Sequence, residues 1–232
     1  MLKLYITNKN YSSWSMRPWV LLKQTGIEFE EVMVRFGDNP FDPTSSFKRA
    51  ITQVNPGGRV PVLMDDGLAV WDTLAIAEYL AEKFPEKHLW PQSVAARARA
   101  RSVCAEMHSG FTSLRSACPM NIEASLPEVG AIVWRDKPGV KGDVARIVSM
   151  WTELLAQHKQ HDRPMLFGEF SIADAYFAPV CMRIKGYALP VPQNISDYIE
   201  RVCALPGVKA WTTEALLEKD FVIDDEPYRS HR

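Results

Sequence analysis

The stretch at residues 57–80 constrains the fold of this chain more than any other. An apolar segment, Val60 to Met64, precedes the turn sequence Asp65-Asp66-Gly67, and a second apolar segment, Leu68 to Trp71, follows it. Two apolar runs joined by Asp-Gly are typical of a β-hairpin. Asp72-Thr73 can then cap a helix, because their side chains accept hydrogen bonds from the first turn. The stretch therefore predicts a hairpin that leads into a helix packed on a sheet.

The beginning of the chain predicts a strand and a helix. Leu2 to Ile6 alternates apolar and polar side chains, as a half-buried strand does. The run from Met16 to Gln24 has helical spacing, and we expect Pro18 in its first turn, where the missing N–H does no harm. Gly26 is expected to end this helix.

A second strand and a long connection separate this helix from the hairpin. Residues 28–35 predict the strand. Residues 36–53 form a polar connection with helical character from Ser46 to Ile51, and connections of this length are often functional. We expect this connection to border a ligand cleft, with Phe41 and Phe47 as loop anchors.

The order of these elements divides the chain into two parts. Strand, helix, strand, short helix, hairpin and helix follow one another as in a thioredoxin-like α/β domain, to which we assign residues 1–84. Residues 85–92 are rich in proline and are predicted to be a linker. Helical patterns dominate beyond it, so we expect residues 93–232 to form an all-α helical bundle.

Two apolar stripes characterise this second part. The first consists of Ala100, Cys104, Met107, Phe111, Leu114 and Cys118, whose spacing predicts one face of a single long helix. The second consists of Val144, Ile147, Val148, Trp151, Leu154 and Leu155, and we expect Gly139 and Gly142 in the loop before it. We interpret both stripes as core packing.

Three features complete the helical part. Ser171 and Asp174 have the spacing of a capping box, which predicts a helix that begins after Ser171. Residues 194–205 and 207–219 predict two more helices. Residues 221–232 form a polar tail that is expected either to fray or to fold over the cleft.

The composition disfavours several classes of partner. A formal net charge of −1 gives no electrostatic footprint for nucleic acid or an anionic membrane, and no apolar run is long enough to cross a bilayer. The first residues do not resemble a secretory signal, so we expect a cytoplasmic protein.

The four cysteines match no zinc-binding spacing and are expected to be reduced thiols; they are Cys104, Cys118, Cys181 and Cys203. No metal site is predicted.

Val60-Pro61, Asp72-Thr73 and the helix that follows resemble the second half of the glutathione-binding domain of soluble glutathione transferases. The Ser-Ile-Ala-Asp element at 171–174 is similar to a helix start in the second domain of this family, where its role is in folding. The resemblance implies that Val60-Pro61 holds the cysteinyl backbone of glutathione and that Asp72-Thr73 binds its γ-glutamyl end. A helix N-terminus and an adjacent carboxylate suit the two charges of that end.

The resemblance also implies that the sulfur of glutathione lies at the segment from Tyr11 to Arg17. The thiolate is the nucleophile, so such an enzyme must stabilise an anionic sulfur, and a hydroxyl at a helix N-terminus suits this task. The Ser-Ser-x-Ser-x-Arg pattern here is similar to that of zeta-class transferases, which include maleylacetoacetate isomerases. The resemblance implies Ser12 as the catalytic residue, with Ser13 as the second choice.

Other residues are alternatives for this role. Other classes use a tyrosine hydroxyl, for which Tyr5 and Tyr11 are candidates, although Tyr5 lies within the predicted strand. No cysteine precedes Cys104, so a mixed disulfide with glutathione at the first helix is not expected. Ser12 and Ser13 could also simply cap that helix.

Further binding residues are expected in both parts of the chain. Gln53, Asn55 and Arg59 precede the hairpin and could bind the backbone or the glycine carboxylate of glutathione. The acceptor pocket is expected between the two parts, lined by Trp14, Arg17, Met107, Phe111 and Arg183. In this pocket Arg17 could bind a carboxylate of the acceptor.

These expectations converge on a glutathione transferase, a family that implies a two-fold homodimer and attack of the glutathione thiolate on an electrophilic carbon. Two alternatives stay open. One is glutathione-dependent cis–trans isomerisation of a maleyl diketoacid. The other is a non-enzymatic binding or stress-interaction protein that retains the fold without activating the thiol.

Overall fold

The structure, a computed structural model, describes residues 1–37, 39–40, 42–160 and 162–232. Within these residues the strands are β1 Leu2–Ile6, β2 Glu30–Met33, β3 Val62–Asp65 and β4 Leu68–Trp71. The helices are α1 Ser13–Thr25, α2 Ser46–Ile51, α3 Thr73–Lys83, α4 Val94–Ser109, α5 Thr112–Ala117, α6 Pro127–Asp136, α7 Pro138–Ala156, α8 Ile172–Gly186, α9 Gln193–Ala204 and α10 Pro206–Leu217. Short 3₁₀ turns lie at Pro85–Lys87 and Ile223–Asp225.

A mixed sheet with strand order β2-β1-β3-β4 forms the N-terminal part. β2 is parallel to β1, whereas β3 is antiparallel to both β1 and β4. The predicted hairpin is confirmed, because Asp66 and Gly67 both adopt the positive φ that a type I′ turn requires. The thioredoxin-like order of elements is also confirmed, and α2 has the predicted bounds.

α1 connects the sheet to the helical part. It contacts β1 and α3 of the N-terminal part and α8 and α10 of the helical part. α10 approaches closely because Gly207 has no side chain: a Cβ there would lie 3.1 Å from the Val20 carbonyl oxygen. The Gly207 N–H donates to Gln24 Oε1 over 3.0 Å. Because sheet and helices share this packing, the division of the chain at residues 85–92 stays a prediction.

α1 begins earlier than we predicted, and the expected place of Pro18 is therefore wrong. Ser12 caps the helix and Ser13 is its first residue, so Pro18 lies inside the helix. There the proline ring removes the N–H that would bond to the Trp14 carbonyl. The predicted end of the helix is confirmed, since Gly26 adopts a left-handed φ of 66°.

The first apolar stripe lies on two helices and not on one long helix. α4 ends at Ser109, and Phe111 has a left-handed φ of 54° before α5 begins. Only glycine fits at Gly110 in this break, because a Cβ there would lie 2.7 Å from the Glu106 carbonyl oxygen. All the residues of the stripe are nevertheless buried, so their interpretation as core is confirmed.

The second stripe belongs to the core on α7, as predicted, with Val148 half-buried and the other members buried. The loop expected around Gly139 and Gly142 is wrong, because α7 begins at Pro138 and includes both glycines. Proline at the first helical position has a suitable φ and needs no N–H partner there. None of the described helices combines the length and the apolar character needed to cross a membrane.

The capping box at the start of α8 is confirmed. Ser171 Oγ accepts from the Ala173 N–H over 3.3 Å, and Asp174 Oδ2 accepts from the Ser171 N–H over 2.9 Å. Asp174 is fully buried, and its Oδ1 also accepts from Tyr198 Oη over 3.0 Å and from the Leu166 N–H over 3.1 Å.

Most of the predicted loop anchors and cysteines that the structure describes are buried. Phe47 is buried, and its ring centroid lies 5.0 Å from that of Phe36, whereas Phe41 lies outside the described residues. The four cysteines are unpaired, as expected, and only Cys203 is not fully buried.

Candidate functional site

A cleft with two adjoining cavities lies at the N-terminal end of α1. The first cavity has a volume of about 590 Å³ and the second of about 570 Å³. Their walls share Trp14, Arg59, Val60 and Arg115. One extended ligand of peptide size could therefore reach from the first cavity into the second.

Ser12 borders the first cavity, and its hydroxyl is occupied by the helix that it caps. Ser12 Oγ accepts from the Ser15 N–H over 3.4 Å and donates to Ser15 Oγ over 2.8 Å. The loop before it is fixed by Asn8, whose carbonyl oxygen accepts from the Ser12 N–H over 2.9 Å. Ser12 thus has the capping role that was one of its two interpretations.

Ser13 is the first residue of α1 and also borders the first cavity. Its Oγ accepts a hydrogen bond of 3.1 Å from Arg183 Nη2, which reaches it from α8. Because the first turn of a helix has N–H groups without helical partners and a partial positive charge, an anion at this position is stabilised.

The two alternative tyrosines differ in position. Tyr11 borders the first cavity, but its hydroxyl donates to Glu226 Oε1 over 2.8 Å. Burial, assisted by the bond to Glu226, raises the pKa of Tyr11 to about 12. Tyr5 lies in β1, as predicted, and borders neither cavity.

The segment before β3 forms the wall that both cavities share. Val60 borders both cavities, Pro61 borders the second, and the peptide bond between them is cis. Arg59 is exposed and also borders both, and its carbonyl oxygen accepts from Asn55 Nδ2 over 2.8 Å. Gln53 lies on the exposed turn after α2, outside both cavities.

The start of α3 closes the second cavity. Asp72 adopts a φ of 75° and caps the helix, its Oδ1 accepting from the Leu74 N–H over 2.9 Å. Its Oδ2 lies 3.2 Å from His108 Nε2. The neighbouring Thr73 hydroxyl shares a 2.6 Å hydrogen bond with Tyr176 Oη, which in turn lies 2.9 Å from His108 Nδ1. A series of hydrogen bonds through His108 and Tyr176 therefore connects Asp72 and Thr73 to α4 and α8.

Two of the predicted acceptor residues, Trp14 and Arg17, are adjacent, but only Trp14 faces the cleft. Arg17 is almost wholly buried and borders neither of the two cavities. Its Nε donates to the Tyr176 carbonyl over 3.0 Å and its Nη1 to the Ser13 carbonyl over 2.8 Å. Burial lowers the pKa of Arg17 to about 9. Arg17 thus joins α1 to α8.

Met107 and Phe111 are also absent from the walls of the two cavities. Both side chains are buried in the main hydrophobic core. The left-handed turn at Phe111 directs the chain so that the following residues, Thr112 and Arg115, border the first cavity instead. The pocket expected to bind the acceptor is consequently lined by more polar residues than the sequence suggested.

The side chains of Lys48, Arg115 and Arg183 form a cationic wall of the first cavity. Arg115 borders both cavities, and its guanidinium carbon lies 4.9 Å from the centroid of the Trp14 ring. Arg183 and Lys48 border the first cavity, and Lys48 Nζ donates to the Gly58 carbonyl over 2.8 Å. Burial lowers the pKa of Arg115 and lowers that of Arg183 to about 10. The two arginines therefore remain cationic at neutral pH.

The tail folds over the cleft, which was one of its two expected positions. Asp225 borders the first cavity, and burial, with the nearby charge of Asp224, raises its pKa to about 6. Glu226 is buried and accepts from both Tyr11 and Asn121, each over 2.8 Å. The C-terminal end of the chain thus contributes an acid to an otherwise cationic wall.

Several of these residues escaped the sequence analysis. Arg115, His108, Lys48 and Asp225 belong to no recognisable motif, whereas Arg183 was among the residues expected to line the acceptor pocket. Among the residues that the structure describes, no group of three or more His, Cys, Asp or Glu side chains could hold a metal ion.

Comparisons with known proteins find similarity to glutathione transferases and to maleylacetoacetate isomerases. A model of the family described as glutathione S-transferase, N-terminal domain, matches residues 11–83. A probable maleylacetoacetate isomerase from Caenorhabditis elegans is 27% identical over 180 residues, which cover 76% of this chain and 76% of that protein. Glutathione S-transferase 1 from Dianthus caryophyllus is 27% identical over 203 residues, which cover 84% and 86%.

A solved structure has the same architecture. The glutathione transferase homologue from Burkholderia gl BGR1, solved with bound glutathione, superposes with a TM-score of 0.68 at 26% sequence identity. The match covers 93% of this chain and 98% of that chain. The predicted fold class, a thioredoxin-like domain with a helical bundle, is thereby confirmed.

Proposed function

We propose that the chain is a member of the soluble glutathione transferases and that it transfers glutathione to an electrophilic small molecule. One observation carries the proposal. The serines at the start of α1 and the Asp72-Thr73 pair at the start of α3 border adjoining cavities, and Val60 borders both. A thiol-activating group and an amino-acid-binding group therefore face adjoining parts of one cleft.

In this proposal, the second cavity binds the γ-glutamyl end of glutathione. The Asp72 carboxylate attracts the ammonium group, and the start of α3 attracts the α-carboxylate. The backbone at Val60-Pro61 pairs with the cysteinyl residue. The glycine carboxylate lies toward Arg59, with Gln53 as the most remote of the predicted contacts.

The reaction takes place where the first cavity meets the start of α1. A serine hydroxyl and the first turn of the helix stabilise the thiolate, which lowers the thiol pKa from its ordinary value of about 8.5. The sulfur then attacks an electrophilic carbon and a C–S bond forms. In a displacement the electron pair of the broken bond leaves with the displaced group. In an addition to an activated double bond the π-electron pair moves away from the attacked carbon and the adduct takes up a proton. The acceptor lies against Trp14 and the cationic wall.

Thiolate absorbance of bound glutathione, recorded against pH, tests the proposal. The parent is expected to bind glutathione and to lower the thiol pKa, and this effect is expected to be lost in only one of the two variants Ser12→Ala and Ser13→Ala, which identifies the activating serine. Ser102→Ala, which removes an exposed hydroxyl on α4 that donates to the Ala98 carbonyl, is the matched control. Binding with an unshifted thiol would instead support a non-enzymatic glutathione-binding protein.

A second candidate function is glutathione-dependent isomerisation of a maleyl diketoacid. The cationic wall favours it, since Arg115 and Arg183 form no ion pair with any acid among the described residues and suit a substrate carboxylate. Arg17, the residue first considered for this role, is buried away from the cleft. Turnover of maleylacetoacetate, with a raised KM in Arg115→Met, would favour this candidate over simple conjugation.

We further propose a cytoplasmic two-fold homodimer, as is typical of the family. Leu68 and Trp71 on the edge strand β4, and Val94 at the start of α4, are large apolar side chains with about half or more of their surface exposed. Their burial against a second copy would be favourable. Sedimentation velocity is expected to give a dimer for the parent and a monomer for Leu68→Glu. Cell fractionation tests the location.

A further inference from the structure

The guanidinium of Arg183 is buried without a carboxylate partner among the described residues. The side chain is 7% exposed. Its Nη1 donates to the Arg115 carbonyl over 3.3 Å and to the Cys118 carbonyl, and its Nη2 donates to Ser13 Oγ over 3.1 Å. A buried cation is usually neutralised by an acid, because desolvation of an unpaired charge is costly. One edge of the Arg183 guanidinium instead bonds to Ser13, which borders the cleft.

The hydrogen bonds of the two serines differ in where the hydroxyl hydrogen lies. Ser12 Oγ donates its hydrogen to Ser15 Oγ over 2.8 Å. Ser13 Oγ is an acceptor from Arg183, and its own hydrogen is donated to no group in the described part of the chain. A hydroxyl has one hydrogen and two lone pairs. Ser13 therefore has a hydrogen left for a ligand, whereas that of Ser12 is already used.

The cation also makes Ser13 a stronger donor. A hydroxyl that accepts from a cation is polarised, and hydrogen bonds in a chain strengthen one another. Bonds to charged groups are roughly twice as strong as neutral ones. An anionic sulfur beside Ser13 would gain from both effects.

The other charged and titratable groups that face Arg183 do not cancel its charge at neutral pH. Arg115 is a second cation on α5, and Tyr187 and Cys118 are neutral there, because burial raises the pKa of each. Asp225, from the tail, is the acid that faces Arg183. It makes no hydrogen bond with Arg183 and compensates the charge only in part.

We propose that Ser13, and not Ser12, donates the hydrogen bond that stabilises the glutathione thiolate, and that Arg183 is the positioning residue that orients and polarises Ser13. This inference rests on the proposed transferase function. It reverses the order of the two serines that the family resemblance implied, and it adds a residue from the helical part of the chain to thiol activation.

A double-mutant cycle on the pKa of the bound thiol tests this inference. The thiolate absorbance of bound glutathione is titrated in the parent, Ser13→Ala, Arg183→Met and the double variant. We expect each single variant to raise the thiol pKa by roughly one unit, a tenfold change. In the Ser13→Ala background, Arg183→Met is expected to add less than about 0.3 unit, because the two residues act through one hydrogen bond. Ser12→Ala is expected to leave the value near that of the parent.

Arg183→Lys separates positioning from structural support. Lysine keeps the charge and a donor nitrogen, so we expect a thiol pKa between those of the parent and Arg183→Met. If Arg183 had only a structural role, a folded Arg183→Lys variant would have the thiol pKa of the parent. It also replaces Arg183→Met in the cycle if the latter does not fold by circular dichroism. Equal effects of the arginine substitution in both backgrounds would overturn the inference, as would loss of activation in Ser12→Ala alone. A parent that binds glutathione with an unshifted thiol would overturn the proposed function itself.

Discussion

The phenol of Tyr11 donates a hydrogen bond to Glu226 Oε1 over 2.8 Å and so joins the loop before α1 to the C-terminal tail. The same oxygen accepts from Asn121 Nδ2 over 2.8 Å. The Tyr11 hydroxyl is therefore occupied, and burial makes it less acidic than a free phenol. Both properties make it a poor donor to a sulfur in the cleft.

Tyr11→Phe is expected to change stability but not thiol activation. Loss of the hydrogen bond to Glu226 should lower the free energy of unfolding by about 1 to 2 kcal/mol, as measured by urea denaturation. The thiol pKa of bound glutathione should stay near that of the parent. Tyr228→Phe is the control, because its exposed phenol donates to the Ala117 carbonyl, away from the loop before α1. A large rise of the thiol pKa in Tyr11→Phe would restore the tyrosine as the activating residue.

Asp72→Asn is expected to weaken glutathione binding without unfolding α3. Asparagine caps helices as well as aspartate and tolerates the positive φ at this position, so the melting temperature should change little. The lost charge no longer attracts the ammonium group, and we expect roughly five- to tenfold weaker binding by calorimetry. Asp66→Asn is the matched control: Asp66 also has a positive φ, but it lies in the β3–β4 turn, outside both cavities. Equal affinities of parent and Asp72→Asn would remove this residue from the binding site.

Gly130→Ala is expected to be strongly destabilising. A Cβ at Gly130 in α6 would lie 1.7 Å from the Tyr187 carbonyl oxygen, so α6 must move away from the end of α8. We expect a loss of more than about 3 kcal/mol. Gly142→Ala is the matched control on α7, since nothing lies within 4 Å of its Cβ position. It should stabilise the protein by up to about 1 kcal/mol, because alanine is the better helix former. Similar unfolding curves for the two variants would contradict the close approach of α6.

Asp174 is expected to make stability depend on pH. Burial raises its pKa to about 6 in the folded protein, whereas the unfolded value is about 4. The folded state binds the proton more tightly, so its contribution to the free energy of unfolding is fully present below pH ~4 and is lost as the pH rises through about 6. The loss amounts to about 3 kcal/mol. The stability of the parent relative to Asp174→Asn should fall across this interval in urea titrations, and a difference that is independent of pH would contradict the prediction.

The features that the sequence predicted correctly depend on short-range interactions. The turn at Asp65-Asp66-Gly67 needs positive φ at two adjacent residues, and Gly26 ends α1 for the same reason. The capping box at Ser171 and Asp174 is a hydrogen-bond exchange within one helical turn. Such patterns are visible in a few consecutive letters, so fold class and most elements could be predicted.

The features that were predicted wrongly depend on distant contacts. The stripe through Phe111 keeps its helical spacing across the break at Gly110, so the spacing could not reveal that two helices share it. Arg17 resembles a binding residue beside the serines, but its guanidinium bonds to the Tyr176 carbonyl, 159 positions away. His108 and Asp225 reach the cleft from elements whose positions no local pattern specifies.

Trp14 stands where the two cavities meet, and this gives the protein a built-in optical reporter. Its ring centroid lies 5.1 Å from that of His108 and 4.3 Å from the guanidinium carbon of Arg17. A ligand that enters either cavity changes the polarity and the quenching groups around this half-buried indole, whereas Trp19 and Trp151 are shielded in the core. Intrinsic fluorescence should therefore register occupancy of both halves of the cleft without a label.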